Sequence, residues 1–306
     1  VVPKVGMDLS IIIVSYNTRN ILRDCLLSVI KETHTITYEI IVVDNNSHDG
    51  SVAMLMQDFP HIKVIANTEN AGFARANNQG IKLAKGKYIL LLNSDTLVME
   101  NCLSKVFEFA QMTPQAGLIG CRVNNQDTSL QYSCWHQPSF FSELIFFTKT
   151  ILKDFWDPWT YFKFMKYWDH QSIQQVDCLS GCFLWIHREV LDKIGLLDED
   201  FFMYYEDFEF CFRVKQATDF KILYYPAASI IHLGQMSANP ANFTFIKSCF
   251  QSVILYFRKT ERCTQARIFP YCCRLIWRIE ATILFILRFQ GSCRRKYTLL
   301  KELINT

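Results

Sequence analysis

Glycine is scarce in this 306-residue chain, 11 residues against 25 phenylalanines. No Gly-x-Gly-x-x-Gly follows the first apolar run, so the fingerprint of a dinucleotide-dependent dehydrogenase is missing. The glycine-rich loop of a sugar nucleotidyltransferase is missing there too, and Ser15-Tyr16-Asn17-Thr18-Arg19 stands in its place. Net charge is only +3, short of the basic bias of a nucleic-acid binder, and no nucleic-acid partner is expected. Cys178 and Cys182 lie four apart, which is not the Cys-x-x-Cys spacing of a zinc site. The chain opens without a basic, apolar, cleavable leader. Its 12 cysteines are therefore expected to be buried free thiols in a reducing cytosol. Residues Val1 to Gly6 show no period, and Met7 starts the first patterned segment.

What is present is an alternation of short apolar runs with helical stripes. Ser10 to Ser15 and Glu39 to Asp44 are β-branched runs, and between them Ile21, Leu22, Cys25, Leu26, Val29 and Ile30 recur at three- and four-residue steps. That spacing is a βαβ unit. Runs at His61–Ala66 and Tyr88–Asn93, with a helical segment at Ala71–Lys85 between them, continue it. Continuous apolar strands imply a mostly parallel sheet covered on both faces, and ligands bind beyond the carboxyl ends of such strands. Those ends read Ser15-Tyr16-Asn17, Asp44-Asn45-Asn46-Ser47, Asn67 to Gly72, and Asn93-Ser94-Asp95.

The second half predicts strands at Leu118–Val123, Val176–His187 and Phe220–His232, and helices at Arg188–Ile194 and Glu206–Gln216. Trp135 to Tyr167 is crowded with aromatics, which suits either a flap over the core or a surface for a greasy acceptor. From residue 236 to 306 the chain reads as helical and basic, distinct from a catalytic unit over 7–235. Its longest uncharged apolar stretch, Ala281–Leu287, is far short of the roughly 18 residues that span a bilayer. Arg274, Arg278 and Arg288 share a helix face, with Leu275, Ile276, Ile279, Ile283 and Leu284 elsewhere. Such a helix either lies on an anionic membrane surface or packs its apolar side on the catalytic unit.

Asp95 follows a buried strand and is placed to bind a divalent cation, because Mg2+ needs few protein carboxylates when a substrate diphosphate supplies other oxygens. The alternative is a helix cap at Thr96. Asp44 either builds a local turn or accepts hydrogen bonds from a base or ribose, with Asn45 and Asn46 able to donate and accept. In the aromatic stretch Phe201 to Arg213, burial of Glu206, Asp207 or Glu209 would raise a pKa and make a general base. A solvated first helical turn is the other reading. His232 gains a ligand role only if the fold brings it to Asp95.

Together these segments closely resemble family 2 glycosyltransferases of the GT-A fold, particularly the rhamnosyltransferase-like branch that builds bacterial surface polysaccharides. The resemblance covers residues 8 to 235, and rests on six motifs in order. They are Ser15-Tyr16-Asn17, Val43-Asp44-Asn45-Asn46-Ser47, Asn70-Ala71-Gly72-Phe73, Asn93-Ser94-Asp95, Tyr204-Tyr205-Glu206-Asp207, and His232 before Gly234. It implies an α/β GT-A fold with a Rossmann-like nucleotide-binding half. Ser15, Tyr16, Asn17, Asp44, Asn46, Asn70, Gly72, Phe73, Asn93 and Ser94 would surround a nucleotide-sugar, and Asp95 and His232 would hold Mg2+ or Mn2+. Asp207 would be the catalytic base of an inverting transfer, for instance of rhamnose from dTDP-rhamnose, to a saccharide or polyprenyl-linked saccharide. The implied setting is the cytoplasm, peripheral at the inner face of the membrane. The chain departs from the family at Asn93, where the Asp-x-Asp motif has its first acid, and at Glu209, where Asp is usual. The alternative function is an inactive membrane-associated scaffold, against which the retained Asp95, Asp207 and His232 weigh.

Overall fold

The computed structural model describes residues 6–148, 158–234, 243–286 and 303–304. The first half runs β1 (Leu9–Ser15), α1 (Arg19–Glu32), β2 (Tyr38–Asp44), α2 (Ser51–Asp58), β3 (Lys63–Ala66), α3 (Phe73–Leu83) and β4 (Tyr88–Asn93). There follow β5 (Thr96–Val98), α4 (Cys102–Met112), β6 (Ala116–Asn124), β7 (Cys134–Trp135), α5 (Phe140–Thr148) and α6 (Pro158–Lys163). Next come β8 (Gln174–Gln175), β9 (Cys178–Leu179), β10 (Phe183–His187), α7 (Arg188–Ile194), α8 (Glu206–Ala217) and β11 (Lys221–His232). Two long helices, α9 (Phe243–Lys259) and α10 (Cys263–Ile286), complete the described chain.

The main sheet has the order β3-β2-β1-β4-β10-β6-β11-β5, with β8 beside β11. Its first four strands are parallel, as their continuous apolar character requires. In β1, Ile11 and Ile13 join one core layer with Leu22, Leu26 and Val29 of α1. Ile12 points the other way, into a layer with Ala74 and Ile81 of α3. Each such buried side chain contributes about 1.5–3 kcal/mol.

Two expectations need correction. The run Val176–His187 is not one strand: it breaks at Ser180-Gly181-Cys182 into β9 and β10. β9 pairs with β7, whereas β10 enters the sheet antiparallel between β4 and β6. Asp95 also caps no helix, because Thr96–Val98 is a strand and the helix begins at Cys102.

A third apolar cluster lies beside the sheet, where Phe250, Phe257, Phe269, Cys273 and Trp277 of α9 and α10 meet Phe147 of α5 and Tyr205. The Trp277 indole donates to the Phe147 carbonyl at 3.0 Å. α10 therefore does pack one side on the rest of the chain. No helix among the described residues is long and apolar enough to cross a membrane. Of the described cysteines all are free, but not all are buried as expected: Cys263 is exposed and Cys272 half-buried, whereas burial pushes the Cys25 and Cys182 thiols up to about 12.

Within this cluster Lys163 and Glu143 are 6% and 0% exposed and 2.7 Å apart, and the Tyr205 hydroxyl also donates to Glu143. Removing one member leaves a buried charge without its counterion. Lys163→Met is expected to cost about 3–5 kcal/mol of stability by urea denaturation, with a smaller loss for the double variant Lys163→Met/Glu143→Leu.

Candidate active site

The carboxyl ends of β1, β2 and β4 open on a cleft of about 400 Å3. Tyr16, Asn17, Asn70, Gly72 and Phe73 line it, with Asn93, Ser94 and Asp95 at its far end. Asn17 adopts φ 54°, which lets its carboxamide oxygen accept from the His48 amide at 2.8 Å while its own amide donates to Ser47 Oγ. Gly72 adopts φ 82°, and a Cβ there would stand 2.5 Å from the Phe202 carbonyl oxygen. No other residue fits so close an approach.

Not every expected residue faces the cleft. Ser15 is fully buried and bonds Thr18 at 3.0 Å. Asp44 is 1% exposed, with one oxygen holding the Ser47 amide and the other without a partner. Asn46, at φ 67°, forms part of the turn beyond β2. Thr18, Asn45, Phe202 and Met203, outside the set expected around the nucleotide, line the cleft instead; of these, the sequence marks Asn45 as a hydrogen-bonding neighbour of Asp44.

Pairing of β11 with β5 sets His232 opposite Thr96, and the Leu233 amide donates to the Asp95 carbonyl at 2.8 Å. The His232 Nε2 atom consequently lies 3.2 Å from Asp95 Oδ1. Its Nδ1 lies 2.6 Å from Gln131 Oε1. The Gln131 amide is oriented in turn, since its Nε2 donates to Asn125 Oδ1 at 3.0 Å. Nδ1 therefore carries the proton that Gln131 accepts, and Nε2 faces both the Asp95 carboxylate and, at 3.4 Å, Asn93 Nδ2. Asn93 Oδ1 is buried without a partner. A proton on Nε2 or a cation between Nε2 and Oδ1 would join the two groups at this distance. Asp95 and His232 thus offer a carboxylate and an imidazole that would suit one hard divalent ion, with Gln131 placed to orient the imidazole. Nothing local in the sequence marks Gln131.

Tyr204 and Tyr205 take φ of 70° and 69° immediately before α8. This tight left-handed turn sets Glu206, Asp207 and Glu209 in the first helical turn, where the helix dipole favours carboxylates. Their environments then separate them. Glu209 is clamped by Arg213 at 2.7 and 2.9 Å, and the same guanidinium holds the carbonyls of Ile194 and Leu196. Glu206 is buried with one oxygen unpartnered, and burial together with the Asp207 charge pushes its carboxyl well above the usual range. Asp207 is half-buried and accepts from the Gly181 amide at 3.0 Å and the Phe208 amide at 2.9 Å. Burial outweighs these two donors and lifts the Asp207 carboxyl to about 6. The strand break at Gly181 is what supplies the first donor.

Asp207 opens into a second cavity, about 310 Å3, whose walls include Trp135, Phe164, Phe208 and Phe245. Phe73, Asn93, Asp95 and Met203 line both cavities, so the two meet at the Asp95 edge. The aromatic segment Trp135–Tyr167 contributes Trp135, Phe146, Lys163 and Phe164 to this wall; its residues 149–157 lie outside the described residues.

The profile of the family described as "Glycosyl transferase family 2" matches residues 10–195. Glycosyltransferase GlyG of Streptococcus pneumoniae is 33% identical over 39% of this chain and 40% of its own length. The N-acetylglucosaminyl-diphospho-decaprenol L-rhamnosyltransferase of Mycobacterium tuberculosis is 25% identical over 63% of this chain and 66% of its own. The chain thus spans less than two thirds of the length of either relative. Among solved structures, mannosyltransferase PcManGT from Pyrobaculum calidifontis, in complex with GDP-Man and Mn2+, superposes with TM-score 0.58 at 15% identity. That match covers 99% of this chain and 86% of PcManGT, a likeness of fold.

Proposed function

Because the chain belongs to glycosyl transferase family 2, we propose that it moves a sugar from a nucleotide-sugar to a saccharide acceptor with inversion at the anomeric carbon. The observation that carries this reading is the meeting of two cavities at the Asp95 edge, with the Asp95–His232 pair between the nucleotide-side cleft and the cavity that holds Asp207. The polar cleft beyond β1, β2 and β4 takes the nucleoside diphosphate, with the carboxamides of Asn17, Asn45 and Asn70 among its walls. Asp95 and His232 would hold Mg2+ or Mn2+. When bound, that ion supplies the positive charge that offsets the departing diphosphate. Asp207 takes the proton of the acceptor hydroxyl as the oxygen attacks the face opposite the diphosphate. The Gly181 and Phe208 amides keep its carboxylate aimed. Burial and the neighbouring Asp207 charge push the Glu206 carboxyl well above the usual range, which favours placing the negative charge of the pair on Asp207.

The aromatic walls suit the C–H faces of a sugar ring and an apolar tail. With the named activity of the Mycobacterium relative, they support a lipid-linked saccharide as acceptor. The same relative supports a deoxyhexose such as rhamnose as donor, in assembly of a surface polysaccharide at the cytoplasmic face of a membrane. Incubation with dTDP-rhamnose, Mn2+ and an N-acetylglucosaminyl-diphospho-prenol should release dTDP and give a product with inverted anomeric configuration by NMR. A retained configuration would refute the mechanism.

Gln131→Leu should lower metal affinity by about 10–100-fold while stability stays close to that of the parent protein. Calorimetric Mn2+ titration in the presence of nucleoside diphosphate measures it.

A further inference from the structure

The outward side of α10 carries an apolar stripe of its own. Ile268, Tyr271, Leu275 and Ile279 are 47%, 70%, 61% and 51% exposed, and their three- and four-residue spacing makes a single stripe along the helix. At about 100° a residue, Arg267, Arg274 and Arg278 fall together along one flank of that stripe. Glu280, the one acid of α10, is buried. Charge is also divided along the chain: residues 236–306 hold 12 Lys and Arg against 3 Glu and no Asp, whereas residues 1–235 hold 20 basic and 26 acidic residues. The stripe therefore sits in the strongly basic part of a molecule whose remainder is acidic.

We propose that this face of α10 docks on an anionic lipid bilayer, its four apolar side chains entering the interface and its arginines meeting lipid phosphates. Charge complementarity selects the occupant. A second copy of the chain would set like-charged arginine flanks together, and an acidic remainder would be repelled by the same lipids that attract α10, which orients the molecule. α5 connects the two sides of the arrangement: Phe147 packs under Phe250 and Phe269, while its neighbour Phe146 lines the Asp207 cavity. A docked α10 thus brings the aromatic cavity near the bilayer. The inference rests on the lipid-linked acceptor reading for its purpose, but its test reads binding alone, so failure to bind and failure to transfer are separable.

The full chain should float with phosphatidylcholine vesicles containing phosphatidylglycerol at low salt. Binding should drop severalfold with phosphatidylcholine alone or at raised salt. Leu275→Glu/Ile279→Glu, at exposed positions, should reduce flotation by about tenfold or more while transfer to a short water-soluble acceptor is unchanged. If that variant misfolds, Arg267→Gln/Arg274→Gln/Arg278→Gln should lose the preference for phosphatidylglycerol. Equal binding to both vesicles, undiminished flotation of the folded variants, or a parent dimer that the variant dissociates without vesicles would overturn the proposal.

Discussion

Asp207→Asn is expected to lower the transfer rate by about 10²–10⁴-fold while donor binding stays within a few-fold of the parent. Asparagine keeps the shape and can still accept from the Gly181 amide, but it cannot take the acceptor proton. The pH profile is the companion readout. Burial lifts the Asp207 carboxyl to about 6, so transfer needs pH above that value and should fall as pH drops through it. The stability effect has the opposite sign. A carboxyl raised in the folded state holds its proton over the window from its ordinary 3.8 to about 6, so this group favours folding at low pH and loses that contribution as pH rises through the window. The variant, free of a buried charge at neutral pH, should be at least as stable as the parent. A mutation that acted by unfolding would do the reverse.

Asp95→Asn carries the second large effect, on binding rather than on proton transfer. Asp95 is the carboxylate that faces His232, and its charge is what a hard cation would pair with. Metal-dependent donor affinity should fall by more than the roughly 10–100-fold assigned to the supporting Gln131. Metal-independent binding of the nucleoside should persist, because the cleft residues from β1 and β2 are untouched. Calorimetry with nucleoside diphosphate, with and without Mn2+, separates the two contributions.

The two variants probe parts of the site that differ in how far sequence alone discloses them. β1 to β4 are legible because each is an unbroken apolar run ending in polar residues, and strand ends in such a sheet face the ligand. Which of those polar residues face the cleft is not legible, since alternate side chains at a strand end point to opposite sides. Ser15 turns inward while Tyr16 turns out. The break at Gly181 is masked by apolar residues on both sides, Cys178-Leu179 and Cys182-Phe183-Leu184, although a glycine inside a strand pattern is itself a signal of a bulge or close approach. His232 is conditional in the sequence and becomes a partner of Asp95 only through the β5–β11 pairing. Gln131 is invisible for the same reason: its contact with His232 crosses 101 residues. In α10 the helical period is plain, but its buried side is decided by α5 and α9. The exposed stripe consequently includes Ile268 and Tyr271, outside the apolar set that the sequence suggested.

The central claim, a nucleotide-sugar site built on Asp95 and His232 beside a separate base at Asp207, is tested most directly by thermal shift across dTDP, UDP and GDP sugars with and without Mn2+. Specific binding raises the melting temperature by mass action, by about 2.7 kcal/mol of stability at a hundredfold excess over Kd. The expected result is a rise with one nucleotide class that requires Mn2+, is retained in Asp207→Asn, and is lost in Asp95→Asn. Absence of any metal-dependent shift with every nucleotide sugar, or a full shift in Asp95→Asn, would contradict it.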